Sequence, residues 1–350
     1  MQHVSASQML ADLRPKRKSR KFAHRLADVM LTVLLKLAAP ALVIFAKSRN
    51  QLPAASRTAD LLGLSIVAHH YYSPMISAAD LLKPLDTPRN LPGLDLDLGI
   101  HRAFLARFDY ADELRQIPLE VRSETEFGYR NGFFETGDAE IFYDVIRSFR
   151  PRRIIEIGSG WSTLIARKAI QRNQRDDIDY ACHHICIEPY EAPWLETIGV
   201  EVIRKRVETL APDFFDQLKA GDILFVDSSH TIRPQGDVIF EIAEVYPRLK
   251  PGVLVQVHDI FTPRDYPTRW VIGERRIWGE QYLLEAFLSG NQDYEIVCAL
   301  NWLLNDHRHL LAQACPMLCV SSAAQPGSIW LRRTAHNAPV RDHGPVGGRA

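Results

Sequence analysis

The chain has 350 residues, 46% hydrophobic and 24% charged, with 42 basic side chains against 42 acidic ones. That balance excludes a disordered chain, a fibrous one and a disulfide scaffold, and it leaves no overall field to attract nucleic acid. The length suits about two domains. Charge is nevertheless uneven: residues 1–50 hold 10 basic and 2 acidic residues, and the rest of the chain holds 32 and 40.

The basic excess lies in Arg14–Arg25 (RPKRKSRKFAHR), and the apolar run Val29–Ala46 follows it. A secretory signal is disfavoured, because the run is long and no small-residue cleavage site follows cleanly. A spanning helix has nearly the right length, but Lys36 sits mid-run at a cost of ~2.5–3.5 kcal/mol and Pro40 interrupts it. The basic flank also precedes the run, which would export everything after residue 46. The favoured reading is a helix on the cytoplasmic membrane surface, its basic run facing anionic lipid. The competing one is a helical hairpin, broken at Pro40 and packed on its own protein.

Residues 51–135 are a turn-rich stretch of short elements (LPAASR, HHYYSPM, LPGLDLDLG) without a repeat, expected to form an accessory or cap region. From about residue 136 to 334 the pattern turns regular. Apolar runs of strand length stand at 153–157, 184–187, 200–203, 223–226, 253–257, 294–300 and 328–332. Helix-like stretches stand at 162–173, 190–198, 213–219, 235–249 and 280–289. Strands apolar throughout, alternating with helices, predict an α/β fold: a doubly wound, mostly parallel seven-stranded sheet covered on both faces. The residues from 335 to 350 read as a disordered tail.

The five cysteines (Cys182, Cys186, Cys298, Cys315, Cys319) form an odd set that suits a reducing compartment. Cys182 and Cys186 have metal-ligand spacing, but in a strand residues four apart lie ~13 Å from each other. They are expected to be core cysteines.

The first strand ends in Glu156-Ile157-Gly158-Ser159-Gly160-Trp161-Ser162-Thr163. Glycines at a strand-to-helix turn let a ligand approach the backbone, and free N–H groups at a helix start favour negative charge. Thr163 occupies the place of the third glycine of a dinucleotide fingerprint, which argues against a pyrophosphate. Glu156 beside the turn suits a cationic amine, such as that of S-adenosylmethionine. Glu188, at the tip of the second strand, is placed to accept hydrogen bonds from ribose hydroxyls.

Two polar clusters follow at later strand tips, Asp227-Ser228-Ser229-His230 and His258-Asp259. In open α/β sheets such tips face one crevice. Three chemistries remain open there. Asp227, His258 and Asp259 could hold a divalent cation such as Mg²⁺. His230 could be a general base for a substrate hydroxyl. Two histidines and a carboxylate could instead hold iron for a hydroxylase. Tyr266 and Trp270, in the proline-rich loop beyond, are candidates for stacking on a sugar.

The stretches RIIEIGSGWSTL, HICIEPY, DILFVDSSH and LKPGVLVQVHDIFTPRDYP resemble class I S-adenosylmethionine-dependent methyltransferases over about residues 131–333. Within them they are most similar to the bacterial polysaccharide and natural-product subgroup, including macrolide-sugar O-methyltransferases. The resemblance implies S-adenosylmethionine bound by Glu156, Gly158, Ser159, Gly160, Ser162, Thr163, Glu188 and Asp227. It implies Mg²⁺ on Asp227 and Asp259, and His230 as base with Asp227 beside it. His258 stands where those enzymes have a carboxylate. The expected activity is O-methylation of a hydroxyl on a sugar, glycan or glycosylated small molecule. Other readings are a hydroxylase, a nicotinamide-dependent oxidoreductase, and a non-catalytic membrane-associated binding module. The expected partners are that substrate, no nucleic acid, the membrane surface and, compatibly, a second copy of the chain; the expected location is cytoplasmic, peripheral to the membrane.

Overall fold

The structure is a computed structural model, and it describes residues 19–320 and 325–335. The start of the basic run and the expected tail beyond residue 335 lie outside the described residues. The chain divides into two compact units, Met1–Ile76 and Ser77–Ala350.

The first unit contains α1 (Ser19–Ser48), a single turn at Arg49–Gln51 and α2 (Pro53–Leu61). Pro40 lies inside α1, which continues through it, so the expected break into a hairpin does not occur. Leu31, Leu34, Leu35, Leu37 and Ile44 of α1 are exposed, whereas Phe45 is buried. The 28 residues His24–Gln51 are long and apolar enough to cross a membrane by length and composition.

In the second unit, α3 (Leu98–Leu105) and α4 (Ala111–Arg115) precede α5 (Asp138–Phe149). Asp97 caps α3 by accepting the Ile100 N–H. Among the described residues seven strands then form one sheet in the order β3-β2-β1-β4-β5-β7-β6. They are β1 (Arg153–Ile157), β2 (His183–Ile187), β3 (Glu201–Ile203), β4 (Ile223–Val226), β5 (Leu254–Val257), β6 (Tyr294–Ala299) and β7 (Ile329–Arg333). β1 to β5 pair in parallel, and β7 runs antiparallel to both β5 and β6. This is the expected doubly wound, mostly parallel sheet of a class I Rossmann-like fold.

Alternation along the strands feeds two apolar layers. Ile154, Phe225 and Trp330 pack with α5 and α6 (Trp161–Asp176), while Ile155, Ile157, Val226 and Val257 pack on the opposite face. That second face is covered by α7 (Asp237–Phe240), the turns that continue it to Arg248, and α8 (Glu280–Leu288). Two more helices, α9 (Leu300–Asp306) and α10 (Arg308–Ala314), join β6 to the last strand. Phe225, fully buried and stacked on Phe142 at 5.0 Å, marks the centre of the first layer. Burying one such ring contributes ~2–3 kcal/mol.

Three expected helices differ, the stretch at 213–219 forming a 3-10 helix at Pro212–Gln217. Residues 190–198 form only a turn at Leu195–Thr197, because Pro193 cannot donate to a helix and Ala192 takes a positive φ. Residues 235–249 form a short α-helix, a wide turn at Glu241–Val245 and a tight one at Tyr246–Arg248, where Pro247 ends the regular bonding. The sheet order reverses between β1 and β4, and the carboxyl ends of those two strands open the crevice in which such folds bind ligands.

Candidate active site

The turn after β1 is shaped by Gly158, whose φ is +78°. Its N–H donates to the Ile187 carbonyl, and an added Cβ would stand 2.9 Å from the Asp227 carbonyl carbon. Only glycine accommodates both that dihedral and that approach. The turn therefore lies directly on the tip of β4. Gly160 precedes α6, and its N–H donates to the Thr163 hydroxyl at 3.1 Å. Thr163 is thus a helix-capping residue, and with Ser162 it is buried in the first turn of α6.

Glu188 joins the tips of β1 and β2. One carboxylate oxygen accepts the Tyr190 and Glu191 N–H groups, and the other faces the Ser159 N–H at 3.5 Å. Around these residues lies a cavity of about 380 Å³, lined by Gly158, Glu188, Val207, Glu208, Asp227 and Ser228. Glu156 is placed differently from expectation. It is fully buried below the turn, accepts from His184 Nε2 at 2.9 Å and the Cys186 thiol at 3.5 Å, and is absent from the cavity wall. Its side-chain direction follows from strand alternation, which points it to the α5–α6 layer. Cys186 is buried as expected, and Cys182 is half-buried.

A second, larger cavity of about 770 Å³ opens beyond the tip of β5. Its walls include Phe133, Asp138, His258, Asp259, Arg264 and Trp270. Tyr266 lies at its edge but is buried: it packs on Phe261, Trp278 and Tyr282, and its hydroxyl accepts the Gln281 N–H at 3.0 Å. Trp270 is half-buried, with the Arg276 guanidinium 4.5 Å from its ring centre.

Four residues meet between the two cavities. His230 Nε2 is 3.2 Å from Asp227 and 3.6 Å from Asp259. His258 Nδ1 is 3.4 Å from Asp227 and 3.8 Å from Asp259. The spacing therefore brings together all four residues expected in this cluster. His230 Nδ1 is 2.7 Å from Glu280, at the start of α8, and the His230 ring lies 4.2 Å from that of Trp278. His258 Nε2 faces Asp138, at the start of α5, at 3.7 Å. Neither Glu280 nor Asp138 has a local sequence signal, since each reaches its histidine from a distant helix.

The loop carrying His230 is pinned at several points. Ser229 donates through its N–H and hydroxyl to Asp237, the Ser228 hydroxyl donates to Glu241, and the Gly279 N–H donates to the His230 carbonyl. His230 and Asp259 both adopt positive φ, 57° and 58°. Outside glycine that backbone costs ~1–2 kcal/mol, and it persists where surrounding bonds over-determine it.

Burial disfavours charge on His230, but hydrogen bonds to Asp227 and Glu280, with the charges of Glu280 and Asp259, outweigh it. Its pKa is pushed up to about 10. Burial likewise opposes charge on His258, and Asp259 and Asp227 overcome it, raising it well above the usual histidine range. Burial works against ionised Asp227, yet the two imidazoles hold it below the usual carboxylate range. Without another cation, the cluster is thus a network of charged histidines and carboxylates.

Residues 155–260 match the family model described as a methyltransferase domain. Over that stretch the chain is similar to methyltransferase domains. The matched stretch runs from β1 through Asp259 and so includes the glycine turn, Glu188 and all four clustered residues. An uncharacterized protein of Archaeoglobus fulgidus is 29% identical over 187 residues, 47% of this chain and 80% of that protein. Among solved structures, an O-methyltransferase from Bacillus cereus in complex with S-adenosylhomocysteine is 13% identical. The match covers 69% of this chain and 93% of that one, with a TM-score of 0.33. The MycE methyltransferase from the mycinamycin biosynthetic pathway, in complex with Mg, S-adenosylhomocysteine and mycinamycin VI, is 15% identical. There the match covers 54% of this chain and 47% of that one, with a TM-score of 0.30. At these TM-scores the structural likenesses assign no residue a role.

Proposed function

We propose that the protein transfers the methyl group of S-adenosylmethionine to a hydroxyl of a sugar, glycan or glycosylated small molecule. The observation that carries this reading is the junction of the two cavities. Asp227 lines the smaller one, His258 and Asp259 line the larger, and Asp227 lies 3.4 Å from His258. A donor in the first cavity and an acceptor in the second would meet at this cluster.

Gly158, Ser159, Gly160 and Glu188 form the donor side, with Glu188 directed to the ribose hydroxyls. Ser162 and Thr163 act there by holding the start of α6. Glu156 acts at one remove, by fixing β1 against β2. On the acceptor side, Trp270 and the exposed Phe133 offer apolar faces to a sugar ring. Tyr266 shapes that wall from behind. Acidic and amide side chains supply hydrogen-bond acceptors suited to hydroxyls, among them Glu135, Asn301 and Asn305.

Methyl transfer displaces an already good leaving group, so the site has mainly to align the acceptor oxygen and take its proton. His230 is the base we assign, held by Glu280 so that Nε2 faces the junction. With a cation on the neighbouring carboxylates, the charges that keep its imidazole protonated are offset and Nε2 is free to take the proton. Two carboxylates around one gap, with imidazole nitrogens facing it, fit a divalent cation such as Mg²⁺. Bound there, such an ion would chelate adjacent hydroxyls and lower their pKa. Asp227 and Asp259 would hold it, with His258 beside them. The apolar helix α1 and the basic run Arg14–Arg25, which overlaps its start, fit a peripheral position at the cytoplasmic face of the membrane.

The test is calorimetric titration with S-adenosylhomocysteine, repeated on His230→Ala. The expected result is micromolar binding by both proteins and loss of turnover in the variant. Absence of binding by the folded parent would refute the reading.

A further inference from the structure

We propose that the acceptor carries a free, protonated amine, so that the larger cavity takes an amino sugar in preference to an acidic or N-acylated one. This rests on the sugar reading above and names the charge that its cavity receives. Six carboxylates line that cavity, from Asp86, Glu135, Asp138, Asp259, Asp265 and Glu274, against three arginines and His258.

The pairing of these groups decides more than their number. Arg264 is engaged by both oxygens of Asp306, at 2.9 and 3.0 Å. Arg269 and Arg276 each reach Glu274 at 2.7 Å, and the Arg276 guanidinium also lies over the rings of Trp270 and Trp278. His258 faces Asp138, Asp227 and Asp259, so every cation on the described wall already has a carboxylate. Asp265 in turn pairs with Arg89 at 3.1 Å, and Asp138 accepts the Gly327 and Ser328 N–H groups. Asp86 and Glu135 remain, and among the described residues neither has an ion-pair partner. They outnumber the single charge left over by two arginines on one Glu274. An anionic acceptor would therefore enter against unpaired carboxylates and find each cation already engaged.

A second, independent observation comes from Phe133, which lines the same cavity and is 77% exposed. The turn that carries it is firmly held. Asn131 Oδ1 accepts the N–H groups of Phe133 and Phe134 at 2.9 and 2.8 Å, and its amide donates to the carbonyls of Gly128 and Phe134. One Glu135 oxygen accepts the Gly132 N–H at 3.0 Å, which leaves the other for a ligand. An apolar ring held open by its own turn gains only when something covers it. Together with unpaired carboxylates, that ring fits an ammonium group carried on a sugar frame: the ring face attracts the cation and the carboxylate supplies the opposite charge. A neutral hydroxyl would use the carboxylate but gain little from the ring.

The experiment uses the full chain with saturating S-adenosylhomocysteine and Mg²⁺ at about pH 6, where a sugar amine is protonated. Methyl glycosides of glucosamine, galactosamine and mannosamine are compared with the parent hexosides, their N-acetyl derivatives and methyl glucuronide, in titrations followed by saturation-transfer NMR. In the best-bound series the free amine is expected to bind at least about fivefold more tightly than the parent hexoside, with the N-acetyl sugar and the glucuronide weaker than the amine. Glu135→Gln retains an acceptor for the Gly132 N–H and should lose most of that preference, while S-adenosylhomocysteine affinity is unchanged. Equal or weaker binding of the amine would overturn the inference, as would a preference undiminished in both Glu135→Gln and Phe133→Leu. Binding of S-adenosylhomocysteine with no sugar bound would overturn the inference together with the sugar acceptor and leave methyl transfer standing. Absence of S-adenosylhomocysteine binding would overturn the methyl-transfer reading instead, and the sugar comparison without it still decides the charge preference. The comparison among sugars is made on the parent protein, so it decides even if a variant fails to fold.

Discussion

Gly158→Ala tests whether the donor turn and the catalytic cluster are mechanically one object. The new methyl group would stand 2.9 Å from the Asp227 carbonyl carbon and nearer still to its oxygen. Ordinary carbon contacts begin near 3.5 Å, so the tip of β4 must retreat by about 1 Å. The φ of +78° adds ~1–2 kcal/mol for a non-glycine residue, and forcing the extra carbon into packed surroundings adds ~1–3. We expect a total loss near 3 kcal/mol. At ~2.1 cal/mol/K of unfolding entropy per residue, a unit of this length loses about 5 °C in Tm. Function should suffer beyond stability. Asp227 is 3.2 Å from His230 and 3.4 Å from His258, and a shift of that size breaks one or both contacts. S-adenosylhomocysteine affinity should fall roughly tenfold to 100-fold, because misplacement by an ångström is that costly. Differential scanning calorimetry and titration calorimetry, both well below the new Tm, measure the two effects. An alanine variant with unchanged Tm and unchanged affinity would refute the close approach of the two strand tips and the coupling built on it.

Other expectations concern single groups. Glu280→Gln removes the charge behind His230; turnover should fall about 10- to 100-fold with S-adenosylhomocysteine affinity intact, whereas a parallel loss of binding would show that Glu280 merely holds the fold. Burial raises the Glu140 carboxyl from 4.5 to about 7, against the lowering effect of hydrogen bonds from the Met317 and Gly137 N–H groups. The folded state therefore binds more protons between those values, and stability falls by about 3 kcal/mol as pH rises through that window. Glu140→Gln should lose this dependence, and denaturant midpoints that shift in parallel with the parent between pH 5 and 8 would contradict it. Phe225→Ala should cost ~3–5 kcal/mol by urea unfolding, and a loss under 1 would mean the ring is not the centre of its layer. Deleting residues 1–51 should abolish sedimentation with anionic vesicles; retention of binding would move the membrane contact to another surface.

The strands were legible for a physical reason. A parallel strand covered on both faces must be apolar at every position, and runs such as Ile223–Val226 have no other use for that composition. Their carboxyl tips follow from topology, which made Gly158, Glu188, Asp227, His230, His258 and Asp259 visible as one set. What sequence spacing does not convey is which way a side chain turns and what stands behind it. Glu156 looks like a ligand residue because it adjoins a glycine turn, but alternation sends it to His184 and Cys186. Tyr266 and Trp270 are equivalent aromatics in sequence, yet only the second retains an accessible ring face. Glu280 and Asp138 were invisible because each is brought to its histidine by packing of a helix against the sheet. The failed helix at 190–198 was readable in part, since Pro193 interrupts it.

The positive φ of His230 and Asp259 has a consequence for anyone engineering this protein. Glycine at either position would relieve ~1–2 kcal/mol of backbone strain, but it would leave the buried Glu280 and its neighbour Asp227, or the buried His258, without their counter-charge, which costs ~3–5. Gln235 and Arg275 share the positive φ on exposed turns, and glycine there meets no such cost. Selection for stability alone is therefore expected to change those exposed turns first and to leave the cluster intact.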